Sequence, residues 1–200
     1  MSCCIFVGGP AASGKTTVIN QLLKSVPSFY YRPSQAFFDI AHEKNITHDD
    51  VFNIANMDEA EALFIKVCMS HELVIGDVHY AIQPVRDSFF ASGTKVQDIS
   101  EKYVASISSN LINSLSCNNI RILSILLYAD PKILFKRAFD RQQSGCQQLR
   151  AFSLDDVKTE VNAEIEQWKI LSSFSQIRSL SFDTGNCDQN KITEDICKFL

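Results

Sequence analysis

A chain of 200 residues, 46% hydrophobic and 21% charged, carries enough apolar material for one full core and is short for two independent domains. That composition excludes the disordered and fibrous classes. A formal net charge of −4 argues against a broad nucleic-acid-binding face, although phosphate ligands remain open because a local field can hold them.

The seven cysteines form no CxxC pair and leave an odd one over. With no basic n-region and apolar h-region in evidence, we expect a reducing, cytoplasmic compartment and mostly structural thiols. The apolar stretch near the start is broken by glycine, proline and lysine long before it could span a bilayer, so no membrane partner is expected. His42, His48 and His71 lack a ligand spacing with one another, which speaks against a zinc site.

In chain order, Cys3 to Val7 is an apolar run ending in two glycines, and Thr16 to Leu23 changes to helical spacing, which predicts strand, tight turn, helix. Phe29 to Tyr31 reads as a short second strand closed off by Pro33. From Gln35 to Ser70 the apolar positions recur helically through Ile40, Val51, Ile54, Ala60, Leu63, Phe64 and Val67. Leu73 to Ile75, ending in Gly76-Asp77, predicts a buried strand, and Val96 to Leu115 a helix through Ile99, Tyr103, Ile107 and Leu111. Ile120 to Tyr128 is almost continuously apolar, as in a parallel strand covered on both faces.

Asp130-Pro131 opens the next helix, with proline at or near its first position. Leu154 to Leu171 is another helix, Ile177 to Phe182 a fifth strand and Ile192 to Leu200 a terminal helix. Five strands alternating with helices predict an α/β fold of three layers around a five-stranded parallel sheet. Ligands belong beyond the carboxyl ends of the strands, where Gly8, Asp77 and Ala129 fall.

Gly9-Pro10-Ala11-Ala12-Ser13-Gly14-Lys15-Thr16 matches the P-loop pattern G-x-x-x-x-G-K-[ST] at every fixed position, with Thr17 next. Its glycines let successive amides turn inward around a phosphate, and the following helix adds the positive end of its dipole. Lys15 should reach the β- and γ-phosphates of ATP while the Thr16 hydroxyl binds Mg²⁺. Asp77 can hold the same Mg²⁺ or orient an acceptor, and equally suits a plain strand-terminal cap. His79 can position substrate or be an ordinary loop histidine.

Arg137 and Arg141 are four apart and share a helical face, from which a guanidinium can stabilise charge on the transferred group or stack on a base. The polar stretch Gln142 to Gln148 suits a short cover that excludes water. On the acceptor side, Arg32 and Arg86 are candidates for an anionic group on the substrate. Asp39 can accept from a sugar hydroxyl or a base, or act as a helix cap. Of the many aromatic residues here, one or two can form a slot for a planar base.

Taken together, Phe6 to Thr17, Val74-Ile75-Gly76-Asp77-Val78-His79, Ala129-Asp130-Pro131 leading to Arg137 and Arg141, and Asp156 through Glu164 resemble the nucleoside monophosphate kinases, most closely the archaeal type of adenylate kinase. The resemblance implies one P-loop kinase domain over 1–200, with a monophosphate-binding insertion at 32–71 and a lid at 141–153. It would place Arg137 against adenine, Arg141 on the triphosphate, Arg150 closing from the lid, Asp77 and His79 near metal and acceptor, and Asn186 beside the donor base. The chain departs from that family after His79 and in having Arg150 alone where the lid usually carries several arginines, both of which concern the acceptor. The expected activity is transfer of the γ-phosphate of ATP-Mg²⁺ to a nucleoside monophosphate. A kinase for a nucleoside or another small metabolite, and a nucleotide-gated switch or assembly ATPase, are the alternatives.

Overall fold

The computed structural model describes residues 2–45, 54–82, 104–144 and 153–200. Within them the chain runs β1 (Cys3–Gly8), α1 (Lys15–Ser25), β2 (Phe29–Tyr31), α2 (Pro33–Lys44), α3 (Ile54–Ser70), β3 (Leu73–Asp77), β4 (Ala81–Ile82), β5 (Val104–Ala105), α4 (Ser109–Cys117), β6 (Arg121–Tyr128), α5 (Pro131–Gln143), α6 (Leu154–Ser172), β7 (Ile177–Asp183) and α7 (Gln189–Cys197). Five strands form one parallel sheet in the order β2-β3-β1-β6-β7. The expected α/β architecture is therefore present, with β1 at its centre.

Strand alternation sends neighbouring β1 side chains to opposite faces. Cys3, Ile5 and Val7 pack with Val18, Ile19 and Leu22 of α1 and Ile192 and Ile196 of α7. Cys4 and Phe6 pack with Phe64 and Cys68 of α3, Leu111, Ile112 and Leu115 of α4, and Leu171 of α6. Both faces being covered, every residue of β1 is buried. A smaller cluster of Ala36, Ile40, Ala41 and Ala60 joins α2 to α3, with Tyr31, Phe37 and Leu63 at its edge.

Three sequence expectations are corrected or refined. The helix expected over Val96 to Leu115 is confined, among the described residues, to Ser109–Cys117. Val104–Ala105 instead pairs antiparallel with Ala81–Ile82, since the β-branched Val104 suits an extended ladder and Ser108 supplies the helix cap only afterwards, its Oγ accepting from the Leu111 amide at 3.0 Å. Residues 96–103 lie outside the described residues. Pro33 does more than close β2, because it occupies the first turn of α2, where its missing N–H is harmless. The stretch expected to be helical from Gln35 to Ser70 is two helices on either side of 46–53, which also lie outside the described residues.

Tyr80 locks the exits of three strands together. Just after β3, its hydroxyl lies 2.8 Å from the Ile125 carbonyl and 3.1 Å from that of Phe6, and accepts from Ser124 Oγ at 2.9 Å. Its ring lies so close over Gly8 that a Cβ there would fall 2.4 Å from a ring carbon, so Gly8 is small because Tyr80 is buried against it. Burial pushes the phenol far up from its ordinary value, and it stays neutral. Tyr80→Phe removes the donor and leaves Ser124 without its acceptor. We expect a loss of about 1–3 kcal/mol in urea unfolding, with an unchanged slope.

Candidate functional site

β1, β3 and β6 run in the same direction, so Gly8, Asp77 and Tyr128 end at one edge of the sheet. The P-loop turns there through left-handed conformations at Ala12 (φ 61°) and Gly14 (φ 94°), after Gly9 (φ 137°). A Cβ on Gly9 would stand 2.0 Å from the Leu127 carbonyl oxygen, so the loop is pressed onto β6. Gly14 precedes Lys15, the first residue of α1, with no side-chain cap and no acidic residue in the first turn. The helix therefore presents bare amides and the positive end of its dipole to the loop.

Lys15 folds back over this loop, its Nζ donating to the carbonyls of Gly9 at 2.5 Å and Pro10 at 3.0 Å. Burial lowers its pKa, opposed by the carboxylates of Glu164, Asp77 and Glu160 and reinforced by Arg141. One cavity of about 500 Å³ opens beside it. The P-loop from Ala11 to Thr17 forms one wall, and Arg32, Asp77, His79 and Arg141 border it; Phe37, Phe64, Ile107 and Leu111 form an apolar and aromatic wall.

Asp77 Oδ2 accepts from the Tyr30 hydroxyl at 3.1 Å and lies 3.7 Å from an Arg32 guanidinium nitrogen, which joins the ends of β2 and β3. Desolvation and the Asp77 anion together raise the Tyr30 pKa, keeping that phenol a donor. Thr16 and Asp77 both line the cavity, and their hydroxyl and carboxylate oxygens fit Mg²⁺.

Two carboxylates from α6 reach the same place. Glu160 Oε1 accepts from the Ala11 amide of the P-loop at 2.8 Å. Glu164, fully buried, lies with Oε1 at 2.9 Å from His79 Nδ1 and accepts with Oε2 from the Tyr80 amide at 2.7 Å. Ligand atoms of His79, Glu160 and Glu164 lie within 4.8 Å of one another, but each residue is already hydrogen-bonded within the protein. The helix is placed by a capping box, with Ser153 Oγ accepting from Asp156 N at 3.1 Å and Ser153 N donating to Asp156 Oδ2 at 3.0 Å.

Other expected residues fall around this centre. Arg137 donates to Thr184 Oγ1 at 3.1 Å and Thr184 O at 2.8 Å, fixing α5 to the turn after β7. Asn186 is in that turn, exposed and donating to Asp183 Oδ2 at 2.7 Å. Asp39 is not brought to the cavity: it is exposed on α2 and accepts from Gln35 Nε2 at 2.9 Å, one turn earlier on its own helix. Arg86 and Arg150 lie outside the described residues. So does the second half of the polar segment from Gln142 to Gln148, while α5 continues through Gln143.

Glu61, Glu160 and Glu164 were not singled out as site residues. Glu61 lines the cavity, accepts from Ser108 Oγ at 2.8 Å, and has its pKa raised by burial. For Glu160 and Glu164 a signal exists, because both sit on the stripe of α6 that also carries Val157, Val161 and Leu171. Acids four apart on a buried helix face need partners.

No protein-family model matches the chain, and no curated protein matches it. Solved structures do. The YorR protein from Bacillus subtilis, in complex with phosphorylated GDP, superposes with a TM-score of 0.61 at 17% identity, over 98% of this chain and 94% of that one. For the deoxyadenosine kinase of M. mycoides the TM-score is 0.55 at 14% identity, covering 98% and 97%. Shikimate kinase from Acinetobacter baumannii gives 0.54 at 12%, covering 100% and 93%. The chain shares the fold of these proteins, two of which are named as kinases. This likeness is to that fold in general and does not single out the archaeal type of adenylate kinase. Among the described residues no helix is long and apolar enough to cross a membrane.

Lys15→Ala removes the cation from the loop, and the buried Gly9 and Pro10 carbonyls lose that side-chain donor. Calorimetric titration with ATP-Mg²⁺ should show affinity reduced by roughly 10- to 100-fold, the worth of a charge-assisted hydrogen bond.

Proposed function

We propose that the protein transfers the γ-phosphoryl group of ATP-Mg²⁺ to a hydroxyl of a small, ring-bearing acceptor such as a nucleoside. The observation that carries this reading is the single cavity in which the P-loop, Lys15 and Arg141 face an acceptor wall of Phe37, Phe64 and Leu111. A cavity of about 500 Å³ suits a molecule of nucleoside size. ATP-Mg²⁺, when bound, supplies the phosphoryl group and the metal charge, with Thr16 and Asp77 holding the metal. Lys15 and Arg141 offer cationic donors to the phosphoryl oxygens, and the P-loop amides turn towards them. Arg137 and Asn186 would border the donor base. The named activities of the deoxyadenosine and shikimate kinases, both with small acceptors, support this class of reaction.

A hydroxyl acceptor is favoured by charge. Among the described residues the acceptor side offers Arg32, already beside Asp77, together with the Glu61 and Asp77 carboxylates, a balance better suited to a neutral molecule than to a dianion. The second reading is transfer to a nucleoside monophosphate, as in adenylate kinase, with Arg32 and Arg86 on its phosphate and the segment at 141–153, Arg150 included, closing as a lid. Arg32 at the cavity rim favours it, as does the phosphorylated nucleotide held by the YorR protein.

The two separate in a coupled assay with ATP-Mg²⁺ against nucleosides, nucleoside monophosphates and small polyols. Faster transfer to a nucleoside than to its monophosphate is expected; the reverse order would replace the first reading by the second, and no transfer to any acceptor would remove both. In the same assay Arg141→Ala should lower kcat by roughly 100- to 1,000-fold, as when a donor to the transition-state charge is lost, with a smaller change in KM.

A further inference from the structure

We propose that His79 accepts the proton of the acceptor hydroxyl and that Glu164 is the positioning residue that makes it able to do so. The inference rests on the hydroxyl-acceptor reading and names the group which that chemistry requires. It stands on the juxtaposition of a half-exposed imidazole in the cavity with a fully buried carboxylate behind it.

Glu164 faces two donors. Its Oε2 takes the Tyr80 amide, and its Oε1 lies 2.9 Å from His79 Nδ1. A carboxylate can only accept, so Nδ1 carries the hydrogen of that bond. In the neutral ring the lone pair is then on Nε2, which makes no hydrogen bond among the described residues. The other acid at this end of the cavity, Asp77, is bound to Tyr30 and Arg32 and stands with Thr16 where a metal would be held. His79 is thus the cavity-lining base backed by an orienting carboxylate, the arrangement by which an imidazole is made a general base. Glu160 and Glu164 on α6 cluster with it, and the charged groups that line the same cavity are Asp77 at the end of β3, Lys15 at the start of α1, Arg141 on α5, Arg32 and Glu61.

The reaction balances without a further reagent. The acceptor oxygen forms its bond to the γ-phosphorus, and the bond from that phosphorus to the β–γ bridging oxygen breaks. ADP leaves with the electron pair, and the hydroxyl proton passes to His79 Nε2. The imidazolium that results lies against the Glu164 anion, and it returns its proton to solvent through the half-exposed side of the ring.

The test uses His79→Ala and Glu164→Gln in the full chain, assayed with the hydroxyl acceptor that the wild type uses best. His79→Ala should lower kcat by about 100-fold or more with KM little altered, and added imidazole should restore part of the rate. Glutamine at 164 puts an NH₂ donor where one carboxylate oxygen stood, so in this side-chain position it faces either the Tyr80 amide or Nδ1 with a donor instead of an acceptor. Its ¹⁵N spectrum should show His79 as a mixture of tautomers where the wild type shows Nδ1–H alone, with kcat lowered at least about 10-fold. Wild-type kcat in His79→Ala, or an identical tautomer in Glu164→Gln, would overturn the proposal. The exposed position of His79 keeps the first measurement decisive if the buried substitution fails to fold. A wild type that transfers to no hydroxyl would instead sink the parent reading.

Discussion

The shared direction of β1, β3 and β6 is the constraint from which the site follows. Parallel strands leave their carboxyl ends at one edge, and the chain must cross a face of the sheet between one strand and the next. Here that brings the P-loop, the Asp77 carboxylate and the Tyr128–Ala129 exit side by side, with α1, α5 and α6 packed around them. Two contacts then remove the remaining freedom. Leu127 presses its carbonyl against Gly9, and Tyr80 lies across Gly8 while hydrogen-bonding into β1 and β6.

Charge at this edge is arranged rather than abundant. Lys15 stands among Asp77, Glu160 and Glu164, with Arg141 beyond. Buried carboxylates are costly unless they are hydrogen-bonded, and the two on α6 have donors: Glu160 the Ala11 amide, Glu164 the Tyr80 amide and His79. α6 consequently touches both the donor loop and the residue that follows β3. The histidine proposed as base and the loop proposed to bind the donor are positioned from one helix, which explains how their relative geometry is kept although they follow different strands.

Much of the donor half was legible in the sequence. The P-loop pattern is local: its glycines, lysine and threonine occupy fixed places in one short turn, and the conformations at Gly9 and Gly14 are those the spacing demands. The strands were legible for a similar reason, since a buried parallel strand must be apolar along its length. Arg141 and Asp77, both read as candidates, do come to the cavity, whereas Asp39 turns to Gln35 on its own helix and leaves it. The region after β3 was misread where a helical recurrence of apolar residues covered Val104–Ala105, because a two-residue strand is defined by its partner and not by its own period.

By itself, then, the sequence determined that a P-loop is present, at which turn it lies, and on what kind of sheet, because those properties depend on neighbours within a few residues of one another. Only the tertiary structure decided which distant groups share the space in front of that loop. Glu164 meets His79 across 85 positions and Glu160 meets Ala11 across 149, and nothing in the spacing of either pair announces it. Such contacts are made by packing α6 under the sheet edge, which buries Val157, Val161 and Leu171 and carries the two acids inward with them. The physical reason is the one that governs any buried carboxylate: an acid on an apolar helix face must find a donor, and which donor it finds is settled by the fold.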